Sequence, residues 1–139
     1  MADVLFVCVH NAGRSRMAEA LFNHWSRERY GGRWTAASAG TQPAPRPHPE
    51  VVEAMAELGI AVEVRPGELL TPEMAEGARK LFSMGCNVEE ACPALTIPME
   101  DWALEDPKGR PMPEVRTIRD DIARRVGHLL EQLESGLGG

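Results

Sequence analysis

The chain has 139 residues, enough for one domain with its own core and too few for two. It is 43% hydrophobic and 26% charged, as soluble globular proteins are, and its net charge of −6 argues against a broad nucleic-acid surface. The start lacks a basic leader, no stretch reaches membrane-span length, and three cysteines cannot all pair. These features predict a cytoplasmic monomer with no membrane or nucleic-acid partner.

Residues 4–9 form a short β-branched apolar run, expected as a buried strand. The turn His10-Asn11-Ala12-Gly13 follows, and then Met17, Leu21 and Trp25 recur at helical spacing beside Ala18 and Phe22 until Gly31-Gly32. Residues 34–39 read as a second strand stopped by Gly40. Residues 41–49 contain four prolines and read as a loop. A helix is expected over 50–58, with Val51, Val52, Met55 and Leu58 inward and Gly59 as its stop. Thr71-Pro72-Glu73 has the form of a helix start. Strands are expected over 79–84 and 94–98. A long helix over 114–133 carries the stripe Val115, Ile118, Ile122, Val126, Leu129, Leu130 and Leu133. Trp25 and Trp34 are expected in the core.

This order predicts a single α/β domain over residues 1–139, with a tail fraying from 135. Its centre is a four-stranded parallel sheet with helices on both faces. In such sheets ligands bind beyond the carboxyl ends of the strands, so the first strand's turn is the first candidate site.

That turn reads Cys8-Val9-His10-Asn11-Ala12-Gly13-Arg14-Ser15. A tight loop entering a helix can aim the N–H groups of residues 9–14 at one oxyanion and add the positive helix end. Gly13 tolerates a left-handed conformation, and Asn11 visits it at low cost. Arg14 supplies a planar fork for two oxygens. The same field favours a thiolate at Cys8, to which the Ser15 hydroxyl can donate. The bland reading is a buried strand-end cysteine beside a solvated arginine. For His10, the ring as a tuner of the thiolate competes with a residue whose backbone alone matters.

Cys-x5-Arg-Ser between a first strand and a first helix resembles the low-molecular-weight tyrosine phosphatase superfamily. The string from Phe6 to Ala20, with Ala37-Ser38-Ala39-Gly40-Thr41, His48-Pro49, Asp101-Trp102 and Glu105-Asp106-Pro107, resembles its arsenate reductase branch. The resemblance spans nearly the whole chain. It implies a phosphatase-like fold, a general-acid role for Asp106, and a network of Asn11, Glu19 and Ser38 bracing the loop. Glu105 is the rival acid, and Glu19 as a plain surface residue is the rival to the brace. Lys108 stands where tyrosine phosphatases of the superfamily usually carry an aromatic, which weakens phosphotyrosine as a substrate.

Cys86 and Cys92 lie six residues apart near Gly85 and Pro93. Redox chemistry needs a second thiol near the first and a third to carry the oxidation to an accessible place. Zinc binding is the competing reading, but no Cys-x2-Cys pair is present; inert cysteines are another. The resemblance implies that Cys8 attacks arsenate, that Cys86 and then Cys92 take over the oxidation as disulfides, and that thioredoxin regenerates the enzyme. Phosphate is expected as a competing oxyanion. No cofactor and no metal are expected. The alternatives are a phosphatase using only Cys8, Arg14 and Asp106, and a non-catalytic oxyanion or redox sensor.

Overall fold

The computed structural model describes residues 2–84 and 99–136. Four strands form one parallel sheet: β1 (Val4–Cys8), β2 (Ala36–Gly40), β3 (Lys80–Ser83) and β4 (Met99–Asp101), in the order β2-β1-β3-β4. The described helices are α1 (Arg14–Tyr30), α2 (Pro49–Ala56), α3 (Pro72–Gly77) and α4 (Met112–Gly136).

β1 is buried along its whole length, as a central parallel strand must be. Its alternate residues serve two cores. Val4, Phe6 and Cys8 face the larger one, with Met17, Leu21 and Phe22 of α1, Val51 and Met55 of α2, and the α4 stripe. Leu5 and Val7 face the smaller one, with Ala39, Leu70, Leu81 and Ala75 of α3. Phe6 anchors the larger core against Phe22, Phe82 and Trp102, at ring separations of 6.1, 5.7 and 5.5 Å. The sheet is therefore covered on both faces, as expected.

The register aligns Cys8 with Gly40, Val7 with Ser83, and Ser83 with Asp101. The carboxyl ends of all four strands thus share one edge. The chain leaves β1 toward β2 on one side and later adds β3 on the other, so the strand order switches beside β1.

Several boundaries differ from the expected ones. β2 begins at Ala36 rather than 34, because Ser26 Oγ donates to Trp34 O at 2.6 Å and accepts from Trp34 N at 3.1 Å, holding that backbone outside the ladder. α2 ends at Ala56, and Gly59 at φ 74° turns the chain, so Leu58 is 43% exposed rather than inward. Trp34 is buried, but Trp25 is only half-buried and lies under the Arg29 guanidinium at 4.6 Å. Thr71 caps α3 as expected, accepting from Met74 N at 3.3 Å.

α4 starts at Met112 and runs to Gly136, taking in Ser135 and Gly136 of the tail expected to fray. Its last turn is tied down where Glu134 accepts from Arg33 Nη1 and from Trp34 Nε1. The strand expected over 94–98, and Cys86 and Cys92, lie outside the described residues.

Candidate active site

Cys8 closes β1 and is 3% exposed. Past it, residues 9–13 wrap into the N-terminus of α1, and each carbonyl in that loop turns outward to a donor. Val9 O accepts from Gln42 N at 2.8 Å, His10 O from Ala44 N at 2.9 Å, and Ala12 O from His48 N at 2.9 Å. Asn11 O accepts from Arg16 Nη1 at 3.3 Å, and Gly13 O from Met17 N at 2.9 Å. In a trans peptide the C=O and the following N–H point opposite ways. Five outward carbonyls therefore turn the N–H groups of His10, Asn11, Ala12, Gly13 and Arg14 inward. Asn11 N meets the Cys8 sulfur at 3.3 Å, so the sulfur lies on that inner side. The proline-rich segment 41–49, legible in sequence only as a loop, thus supplies three of the five outer partners.

The left-handed position in the loop belongs to Asn11, at φ 49°. Gly13 has φ −133° and ψ −97°, so the left-handed conformation that it tolerates is not used there. What Gly13 provides is space: a Cβ there would lie 3.2 Å from Pro107 Cγ and 3.3 Å from His48 Cδ2. Asn11 is fully buried, and its side chain is committed at both ends. Its Oδ1 accepts from Glu68 N at 2.9 Å, and its Nδ2 donates to Ser15 Oγ at 2.8 Å. Ser15 Oγ in turn lies 2.9 Å from Cys8 Sγ.

Arg14, the first residue of α1, is 7% exposed. Its Nη1 donates to Leu104 O at 2.8 Å, and its Nη2 stands 3.9 Å from Asp106 Oδ2. Asp106 Oδ1 accepts from Lys108 N at 2.9 Å. Glu105, the rival acid, is 72% exposed and paired with Arg110 at 3.0 Å. The structure therefore brings Asp106, and not Glu105, to the guanidinium beside the loop. His10 turns its ring outward, with Nδ1 3.1 Å from Gln42 O, which favours the reading in which its backbone matters.

This strand–loop–helix arrangement is matched over residues 3–137 by the family described as low molecular weight phosphotyrosine protein phosphatase. The chain belongs to that family. Among its relatives is a Halobacterium salinarum protein provisionally named an arsenate reductase, 44% identical over 91% of this chain and 89% of the other. Arsenate reductase 1 of Staphylococcus haemolyticus is 30% identical over 94% of this chain and 96% of the other. Similar solved structures include a cysteine-to-serine mutant of the YwlE arginine phosphatase whose active-site serine is phosphorylated (TM-score 0.83, 27% identity, 94% of this chain and 95% of the other). An arsenate reductase in its phosphate-binding state has a TM-score of 0.76 and 31% identity, over 95% of this chain and 98% of the other. A thioredoxin-dependent arsenate reductase of Corynebacterium glutamicum has a TM-score of 0.75 and 28% identity, over 98% of this chain and 63% of the other.

Behind this phosphatase-family loop, Ser38 Oγ donates to Glu19 Oε1, so Glu19 is not a plain surface residue. Asn11 does not touch that pair directly. Two arginines that the sequence reading missed make the connection. Arg65 Nη2 donates to both Glu19 oxygens at 2.9 Å, and Arg16 donates to Asn11 O, to Arg65 O at 3.1 Å and to Glu63 O. Burial lowers the Arg16 pKa, and the neighbouring Arg65 lowers it further. Burial also opposes the Arg65 charge, but Glu19, Glu63 and Glu68 outweigh it and raise the pKa. Burial likewise holds the His48 imidazole below its ordinary value, beside Glu50, Asp106, Lys108 and His10. The clue available in sequence was Arg16 following Arg14 in the first helical turn; Arg65, in an irregular segment, gave none. Among the described residues no group of three His, Cys, Asp or Glu is placed to hold a metal ion.

Proposed function

We propose that the chain is an arsenate reductase. The observation that carries this reading is the set of five outward carbonyls, which leaves an amide-lined loop around the Cys8 sulfur with Arg14 and Asp106 at its side. Such a loop suits a tetrahedral oxyanion, and the sulfur within it suits attack on the central atom. The named relatives select arsenate among oxyanions.

The Cys8 thiolate bonds to arsenic while Asp106 protonates the departing oxygen, which leaves as water. Arg14 and the inward amides hold the remaining oxygens. Arg14 is engaged by Leu104 O and lies near Asp106, so binding draws its fork from that carbonyl toward the anion. Cys86 then attacks the Cys8 sulfur. The sulfur–arsenic bonding pair leaves with arsenic as arsenite, and a Cys8–Cys86 disulfide remains. Cys92 attacks Cys86, frees Cys8 and leaves a Cys86–Cys92 disulfide. The two electrons that reduced arsenic came from two thiols, and a thioredoxin dithiol restores them. Phosphate fits the same loop but is not reduced by thiols, so it competes without turnover.

We also propose that the protein works in the cytoplasm as a monomer; its odd cysteine count fits a reducing compartment, where thiols stay free. Among the described residues no helix is long and apolar enough to cross a membrane.

The test is mass spectrometry after a single arsenate turnover. It should map a disulfide onto the peptides holding Cys86 and Cys92, and thioredoxin should remove it. Cys86→Ser and Cys92→Ser should each stop multiple turnovers, and undiminished cycling by either variant refutes the relay.

A second reading is a phosphatase. It is favoured by the similarity to the arginine phosphatase and by the placement of Cys8, Arg14 and Asp106 without help from the other cysteines. It predicts phosphate-ester hydrolysis indifferent to loss of Cys86 and Cys92.

A further inference from the structure

The loop carrying Asp106 is closed by a side chain that the chemistry above does not use. Pro107 to Arg110 form a tight turn, with Arg110 N donating to Pro107 O at 3.1 Å and Gly109 at φ 72°. The turn folds Arg110 back, so that its Nε donates to Asp106 O at 2.7 Å. Its Nη1 reaches the carboxylates of Glu105 at 3.0 Å and Glu114 at 3.3 Å. One guanidinium therefore ties together the main chain of Asp106, the preceding side chain and the first turn of α4.

We propose that Arg110 is the positioning residue for the general acid. This rests on the reading of Asp106 as that acid. Asp106 Oδ1 is held by Lys108 N, and Oδ2 faces Arg14. Fixing the Asp106 carbonyl fixes the peptide on which both contacts depend, and a planar fork does so with a set direction. The Arg110 cation meets the carbonyl and not the carboxyl of Asp106, so it places the acid without itself engaging the group that carries the proton. It also captures Glu105, the carboxyl next to Asp106 in the chain. Each ion pair is half-exposed and weak alone, so the role lies in geometry rather than in stability.

The experiment is a double-mutant cycle in steady-state arsenate reduction, using Arg110→Ala, Asp106→Asn and the double variant, with inorganic phosphate binding by calorimetry as the check on the folded loop. Arg110→Ala should lower kcat about tenfold to a hundredfold, as misplacement of a catalytic group does. Phosphate affinity and KM should stay within about twofold, because the amide loop is intact. In the double variant, Arg110→Ala should add little to the Asp106→Asn loss. Arg110→Lys should not restore kcat, since it keeps the charge without the fork. If Arg110→Ala fails to bind phosphate, Arg110→Gln replaces it in the same cycle. Unchanged kcat in the Arg110 variant beside a large Asp106→Asn loss overturns the proposal and leaves the acid assignment standing. Losses that multiply also overturn it. Unchanged kcat in Asp106→Asn refutes the acid assignment itself.

Discussion

The Ser15 hydroxyl stands 2.9 Å from the Cys8 sulfur and 2.8 Å from Asn11 Nδ2. The Asn11 amide donates to the hydroxyl, which leaves the hydroxyl's own proton available to a Cys8 thiolate. A hydrogen bond to an ionised group is worth about 1.5–3 kcal/mol. Ser15→Ala should therefore slow alkylation of Cys8 by iodoacetamide at neutral pH by roughly tenfold or more, and slow arsenate reduction in parallel. Phosphate binding should be nearly unchanged, because the amides and Arg14 remain. Alkylation at the wild-type rate would show that the hydroxyl does not hold the thiolate.

Gly40 marks a second constraint on the loop. A Cβ there would lie 2.6 Å from Val9 O and 2.9 Å from Asn11 N, both backbone atoms that cannot step aside alone. Gly40→Ala should cost about 1–3 kcal/mol of stability as overpacking. It should also cost more activity than its loss of folded protein explains, since the displaced atoms belong to the loop around the Cys8 sulfur. Urea unfolding and phosphate titration on the same preparation separate the two effects.

Much of this site could be read from the chain because its signals are local. The buried run ending at Cys8, the turn residues and the start of α1 are contiguous, so strand, turn and helix start could be recognised together around Cys8 and Arg14. Gly40 was legible only as a strand stop, since its contact with Val9 and Asn11 depends on β2 pairing with β1. The partners of the loop carbonyls, Gln42, Ala44 and His48, are main-chain N–H groups of a proline-rich segment, and side-chain identity does not encode them. Arg65 braces Glu19 from 46 residues away, a distance that no local pattern reports. That Asp106 rather than Glu105 lies near Arg14 also needed three dimensions, because adjacent residues in a loop differ only in where the turn aims them.

His48 occupies the cap position of α2 with extended backbone, φ −65° and ψ 134°, yet its side chain makes no capping hydrogen bond. Asparagine accepts from the first-turn N–H groups in this geometry, so His48→Asn should stabilise the protein by about 1 kcal/mol. The same variant should change the pH dependence. Burial holds the His48 pKa below its ordinary 6.5, so the unfolded chain takes up the proton more readily than the folded one. Wild-type stability should therefore decline as pH falls below 6.5, and His48→Asn should flatten that decline. Urea midpoints from pH 8 to 5 check both effects; a variant that is less stable at pH 8 would mean that the contact with Gly13 outweighs the cap.

Glu57 sits at the junction of α2 and α4, paired with Arg116 and Arg119. Hydrogen bonds from Arg116 and then Arg119 push its carboxyl from 4.5 down to about 2, against a smaller opposing effect of burial. Arg116 Nη2 lies 2.8 Å from Glu57 Oε2, and Arg119 Nη1 lies 2.8 Å from Glu57 Oε1 and 2.9 Å from Ala54 O. A carboxylate with a depressed folded pKa stabilises the protein fully above its unfolded value. That contribution should fade as pH falls from 4.5 through 2. Glu57→Gln should lower the urea midpoint at pH 7, where two arginines lose their shared partner and one of them, Arg119, is only 7% exposed. The gap between wild type and variant should close as pH falls toward 2, because protonation removes the same charge from the wild type. A gap that stays constant across this range would mean that the side chain acts through packing rather than through its charge.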